Sequence, residues 1–214
     1  MDLTHARLYT ILDAGYVPEG SWARRYDQLI EGGSDIIQLR AKDATVQQRI
    51  ALLDRLLPAY VRSGLPLIVN DNLDLAALYP GLGIGLHLGQ DDLPPETARE
   101  RLGPGVPIGL STHSLVETRQ ALALAEAGVI DYFCTGPLFA TPTKPDYPAV
   151  GLELARAVME LDFDTAWFCI GGINEMTLPQ VTAAGIPRIV VVSAILQAGD
   201  PAAATASFKA ALTA

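Results

Sequence analysis

The sequence predicts an α/β chain folded as one (β/α)8 barrel, a TIM barrel, over residues 1–214. Three observations carry that prediction. Eight short runs of apolar and β-branched residues recur along the chain, as expected of parallel strands buried on both faces. Segments with helical spacing separate them. None of the runs leads into the GxGxxG turn of a dinucleotide-binding doubly wound sheet, so a closed barrel accounts better for the alternation. With 214 residues, half of them hydrophobic, the chain can build one well-buried core. It shows no linker or low-complexity segment, and the alternation is architectural rather than a repeat of sequence.

In chain order, the first run is LYTIL (8–12), and SWARRYDQLIEGG after it has helical spacing. DIIQL (35–39) is the second run. The long segment ATVQQRIALLDRLLPAYVRSG follows it, with an internal Pro58 expected to kink or split the helix, because proline removes a donor and crowds the preceding turn. PLIV (66–69), GIGLHL (83–88) and PIGL (107–110) are the third to fifth strands, and SLVETRQALALAEAG is the next clear helix. VIDYFC (129–134), AWFCI (166–170) and RIVVV (188–192) complete the eight.

Composition excludes several functions. A formal charge of −9 opposes nucleic-acid binding, which needs clustered Lys and Arg to displace phosphate counterions. No apolar run is long enough to span a bilayer, and the N-terminus lacks a basic stretch followed by an apolar signal core, so a cytoplasmic protein with no membrane partner is expected. Cys134 and Cys169 stand alone inside apolar runs and are expected to be reduced core residues. Small phosphorylated ligands remain open, since they need only a few cations in one cleft. Two of the three lysines, Lys42 and Lys144, lie in loop-like motifs rather than on helix faces. Pairing of barrel copies into a homo-oligomer is a bare expectation, with no helix face identified for it.

Barrel active sites form at the C-terminal ends of the strands, so polar residues just after each run are the candidates. QLRAK places Gln38, Arg40 and Lys42 at alternate positions, which directs an amide and two cations to one side of an extended backbone. VNDN supplies Asn70 and Asp71, while Asn72 suffices to cap the following helix. HLGQDDLP supplies Asp91 and Asp92, either of which suits a helix cap. Asp71 and Asp92, from neighbouring strand ends, are hard oxygen donors of the kind magnesium accepts when water or phosphate fills most other positions. STHS offers Ser111, Thr112 and His113, and GPLFATPTKP (136–145) offers Thr141, Thr143 and Lys144, a set of hydroxyls and an ammonium suited to phosphate oxygens. Gly171 and Gly172 of GGIN allow close backbone approach to an anion, and VVSAI contributes Ser193. Two anionic sites are therefore expected. Arg40, Lys42, Lys144 and a metal on Asp71 and Asp92 suit a diphosphate; Gly171, Gly172 and the Ser193 backbone suit a monophosphate.

QLRAK, VNDN, HLGQDDLP, LSTHS, GPLFATPTKP, IGGIN and VVSAI occur in the order and at about the spacing found in the thiamine phosphate synthase family, which the chain resembles from about Leu8 to Ala204. The resemblance implies a barrel enzyme that joins a hydroxymethylpyrimidine diphosphate to a thiazole phosphate with Mg2+, releasing pyrophosphate. It implies that Gln38 and Ser111 contact the pyrimidine. It gives the diphosphate to Arg40, Lys42, Asn70 and Lys144, the magnesium to Asp71 and Asp92, and the thiazole phosphate to Thr141, Thr143, Gly172, Val192 and Ser193. Two departures stand out: Leu12 replaces the threonine usual before Asp13, and Asp146 and Tyr147 follow the TKP motif.

The residues suit that chemistry independently. An aminopyrimidine stabilises a cation on its exocyclic CH2, so the protein's task is to neutralise the leaving group and exclude water rather than to supply a strong base. Two alternatives stay open: a thiazole tautomerase of the same superfamily, using His113 as base, and a non-catalytic paralogue that binds thiamine phosphates.

Overall fold

A computed structural model describes residues 3–141 and 148–212. Eight strands pair in parallel and close on themselves: β1 (Leu8–Asp13), β2 (Ile36–Arg40), β3 (Leu67–Asn70), β4 (Gly85–Leu88), β5 (Ile108–Thr112), β6 (Tyr132–Thr135), β7 (Ala166–Ile170) and β8 (Ile189–Val191). Nearly every strand residue is buried, because the barrel lumen covers one face and the helices cover the other. Most strands start one to three residues after the apolar run begins, and several extend into the polar residues beyond it, such as Asp13, Arg40 and Asn70. Ladder pairing, not hydrophobicity, decides where an extended segment ends.

The outer layer contains α1 (Trp22–Glu31), α2 (Val46–Ser63), α3 (Leu73–Ala76), α4 (Pro95–Leu102), α5 (Leu115–Glu126), α6 (Gly151–Met159), α7 (Leu178–Ala183), α8 (Ser193–Leu196) and α9 (Pro201–Ala211). Of the two outcomes expected of Pro58, a kink or a split, the split does not occur. Helix α2 runs unbroken through Pro58, because Leu52, Leu53 and Leu56 before the proline and Ala59 and Tyr60 after it are all buried, so packing holds the turn that proline weakens. Thr45 and Gln48 close a reciprocal cap at its start, and Gly64 ends it in the left-handed region. Helix α3 is a single turn capped by Asn72, whose Oδ1 accepts the Leu75 N–H at 2.8 Å.

Side chains alternate strictly between two cores. Tyr9, Ile11, Ile36, Ile68, Tyr132, Cys134, Phe168 and Val190 fill the lumen, while Leu8, Leu12, Ile37, Leu39, Leu86, Leu88 and Phe133 pack under the helices. Lumen packing is close enough to require glycine at 109, since a Cβ there would lie 2.1 Å from Cζ of Tyr132. Cys134 and Cys169 are both buried and form no disulfide, and burial pushes the Cys169 thiol well above its ordinary pKa. At the N-terminal end of the barrel, charges are tied to backbone. Asp35 accepts the N–H groups of Arg7 and Leu8 and pairs with Lys209 of α9, while Arg99 donates to three carbonyls and to Asp131. No helix among the described residues is long and apolar enough to cross a membrane.

Candidate functional site

The same alternation that buries Tyr9 and Ile11 turns Asp13 inward, and by parity it does the same for Gln38 and Arg40 on β2, Asn70 on β3, His87 on β4 and Ser111 on β5. These residues occupy the C-terminal end of the lumen. Arg40 and Asp13 pair directly, at 13% and 5% side-chain exposure, and Asp13 also accepts the Gly15 N–H at 2.7 Å. The ion pair fixes the guanidinium before any ligand arrives but offsets its charge. Leu12 points to the helices instead of the lumen, so a threonine at that position would not place its hydroxyl in the site.

Lys42 is exposed on the loop after β2, and Arg49 anchors that loop by donating to the carbonyls of Ala41 and Lys42. Two cavities meet at this lysine. One, of about 40 Å3, brings it together with Asn70 and Asp71; the other, of about 490 Å3, is lined by Asp13, Arg40 and Asp43 among others. Asp71 has φ 59°, and among the described residues it is the one non-glycine in the left-handed region. Its N–H donates to the His87 carbonyl at 2.9 Å, which ties this unusual backbone to the neighbouring strand. Asp92 caps no helix: Pro94 holds the cap position of α4, and Asp92 Oδ2 accepts the Gly89 N–H at 2.7 Å. Among the described residues no three His, Cys, Asp or Glu side chains gather as a metal cluster. The donor set nevertheless fits magnesium, which takes one or two carboxylates and completes its shell with water and phosphate oxygens.

Three side chains to which the motifs gave no role, His87, Tyr132 and Tyr9, lie beneath the site. His87 Nε2 lies 3.0 Å from Ser111 Oγ, and its Nδ1 lies 3.1 Å from the Tyr132 hydroxyl. Tyr132 is 3.1 Å from the Tyr9 hydroxyl, which accepts from Gln38 Nε2 at 2.5 Å. A buried chain of five side chains thus joins Gln38 to Ser111 across the lumen. The only sequence signal was polar residues at lumen parity inside otherwise apolar strands.

On the opposite rim, Gly171 (φ 101°) and Gly172 (φ 65°) adopt conformations that favour glycine, and a Cβ on either would clash with Pro137 or Phe139. The backbone of residues 137–140 lies directly against them. Val192 packs at the lumen edge, Ser193 opens α8, and Thr141 is half-buried. Thr143 and Lys144, with Asp146 and Tyr147, lie outside the described residues. His113 engages the Gly136 carbonyl through Nδ1, and its N–H donates to Glu117.

A model of the family described as thiamine monophosphate synthase matches residues 8–195. The chain is 43% identical to the thiamine-phosphate synthase of Acidothermus cellulolyticus, covering 99% of this chain and 97% of that one. It is 46% identical to the thiamine-phosphate synthase of Arthrobacter sp., covering 99% and 96%. Among solved structures, a thiamine phosphate pyrophosphorylase from Pyrococcus furiosus superposes with a TM-score of 0.83 at 29% identity, covering 99% and 98%. A 3-hexulose-6-phosphate synthase, at TM-score 0.65 and 16% identity, shares the fold alone.

Proposed function

The chain belongs to the thiamine monophosphate synthase family, and from that premise we propose how its barrel joins a hydroxymethylpyrimidine diphosphate to a thiazole phosphate, giving thiamine phosphate and pyrophosphate. The pyrimidine enters the lumen mouth between Gln38 and Ser111. Arg40, already oriented by Asp13, and Lys42, Asn70 and Lys144 hold the diphosphate. Thr141, Gly172, Val192 and Ser193 on the opposite rim, together with Thr143, receive the thiazole phosphate. Asp71 and Asp92 would hold magnesium, which when bound supplies charge neutralisation for the departing pyrophosphate.

The bond between the exocyclic CH2 and the diphosphate oxygen breaks first, and its electron pair leaves with pyrophosphate. Electron density from the 4-amino group stabilises the resulting cation. The thiazole nitrogen then donates its lone pair to form the new C–N bond. No side chain needs to remove a proton from a reacting carbon. The closed lumen below, filled by Tyr9, Tyr132 and Phe168, keeps water away from the cation.

The observation that carries this reading is the contrast between the two barrel ends. At the N-terminal end the charges are tied to backbone, whereas at the other end Lys42, Asn70 and Asp71 share a cavity and Arg40 is preset beside them. Incubation of the purified protein with both substrates and Mg2+ should release pyrophosphate and thiamine phosphate in equal amounts. Thiazole isomerisation without pyrophosphate release would point to a tautomerase, and binding without either reaction to a silent paralogue.

A further inference from the structure

The chain of hydrogen bonds beneath the pyrimidine position has a direction. Gln38 donates through Nε2 to the Tyr9 hydroxyl, so Tyr9 directs its own hydrogen to Tyr132. Tyr132, having accepted, donates to His87 Nδ1, and the neutral imidazole then carries its hydrogen on Nε2 and donates to Ser111 Oγ. Every hydroxyl hydrogen is used once. Burial raises both phenols far above their ordinary pKa, so each carries its proton at neutral pH. Reversing the chain would turn the Gln38 amide over and bury both its N–H groups without the Tyr9 acceptor, whereas in the structure one N–H meets Tyr9 and the carbonyl oxygen, Oε1, is without a partner.

The rings that carry the chain are held rigidly. Tyr9, Tyr132 and Phe168 meet edge to face, with centroids 5.7–6.0 Å apart, and His87 stacks on Tyr132 at 5.6 Å. Gly109 gives Tyr132 its place, since any side chain there would overlap the ring. The hydroxyls therefore have little freedom to rearrange.

We propose that Tyr9, Tyr132 and His87 are positioning residues that fix the hydrogen-bond polarity of the lumen mouth, presenting Gln38 Oε1 as an acceptor and the Ser111 hydroxyl as a donor. This rests on the functional reading above and sets its ring specificity. A 4-aminopyrimidine satisfies both ends, its amine N–H meeting Oε1 and a ring nitrogen accepting from Ser111. A 4-oxopyrimidine of the same shape turns a carbonyl toward Oε1, acceptor against acceptor. Its rejection favours the amino ring, whose electron donation the reaction needs.

Binding of the 4-amino and 4-oxo pyrimidine-methyl diphosphates, measured calorimetrically with Mg2+ and without the thiazole phosphate, tests this. The wild-type protein should prefer the amino compound on the order of 10²-fold, because the mismatch leaves buried polar groups unpaired. Tyr9→Phe unlatches the Gln38 amide, which can then turn its NH2 toward an oxo group, so the preference should fall below about 10-fold while the thiazole phosphate KM stays unchanged. A merely structural tyrosine would weaken both pyrimidines equally, and an unchanged ratio in folded Tyr9→Phe overturns the proposal. The ¹⁵N shifts of His87 in the wild-type protein give an independent reading that needs no variant: Nε2–H supports the relay, and Nδ1–H or a doubly protonated ring refutes it. Should the wild type bind neither pyrimidine, the functional reading falls instead, and the His87 tautomer still reports whether the relay exists.

Discussion

At the scale of single residues, Asp71 combines an unusual backbone with a chemical assignment. Its left-handed φ is tolerated by Asp and Asn far better than by other side chains, so Asp71→Asn removes the charge while keeping the conformation. Asp92→Asn likewise keeps an oxygen for the Gly89 N–H. Each substitution should lower kcat/KM by about 10²-fold or more and raise the Mg2+ concentration for half-maximal turnover, because a lost carboxylate weakens the metal and the leaving-group charge together. Mg2+ titrations of pyrophosphate release check this, and unchanged half-saturation in both variants removes the metal from these residues. Gln38, Arg40, Asn70 and Ser111 could be found in the sequence because each stands at or near the polar end of an apolar run. Tyr9 and Tyr132 could not, because they sit within runs that read as ordinary core, and His87, although it opens HLGQDDLP, ends an apolar run with nothing beside it to suggest a role.

Secondary-structure elements show how packing overrides local preference. Pro58 lies in the interior of α2 without ending it, and the helix tolerates the missing donor because buried residues on both sides hold it to the barrel. Pro58→Ala should restore one backbone hydrogen bond at some cost in unfolded-chain entropy, for a net stabilisation of about 1 kcal/mol. A higher urea midpoint at constant m-value is the expected outcome, with turnover unaltered. A lower midpoint would mean that α2 is shaped around the proline ring.

For the whole molecule, closure of the barrel depends on contacts far apart in sequence. Asp35, just before β2, accepts two N–H groups leading into β1 and pairs with Lys209 of the last helix, so one carboxylate links both ends of the chain. Asp35→Ala leaves those groups without their acceptor and should destabilise the fold by about 2–3 kcal/mol, lowering the melting temperature by roughly 5–10 °C. Turnover per folded molecule should persist, since Asp35 lies at the barrel end opposite the site. Lost turnover at full folding would show that the two ends are coupled.

The sequence by itself determined the number and order of the strands, the polar residues at their C-terminal ends and the family, because periodic burial and loop motifs are local signals. It also showed two isolated cysteines and a formal net charge of −9. The pairing of Asp13 with Arg40, the outward direction of Leu12, the continuity of α2 and the relay from Gln38 to Ser111 were decided only by tertiary structure. Each depends on which face of a strand a residue occupies and on which neighbour the closed barrel brings to it. Tyr9 and Tyr132 are 123 residues apart in sequence and 3.1 Å apart at their hydroxyls. Closing the sheet into a cylinder makes them partners.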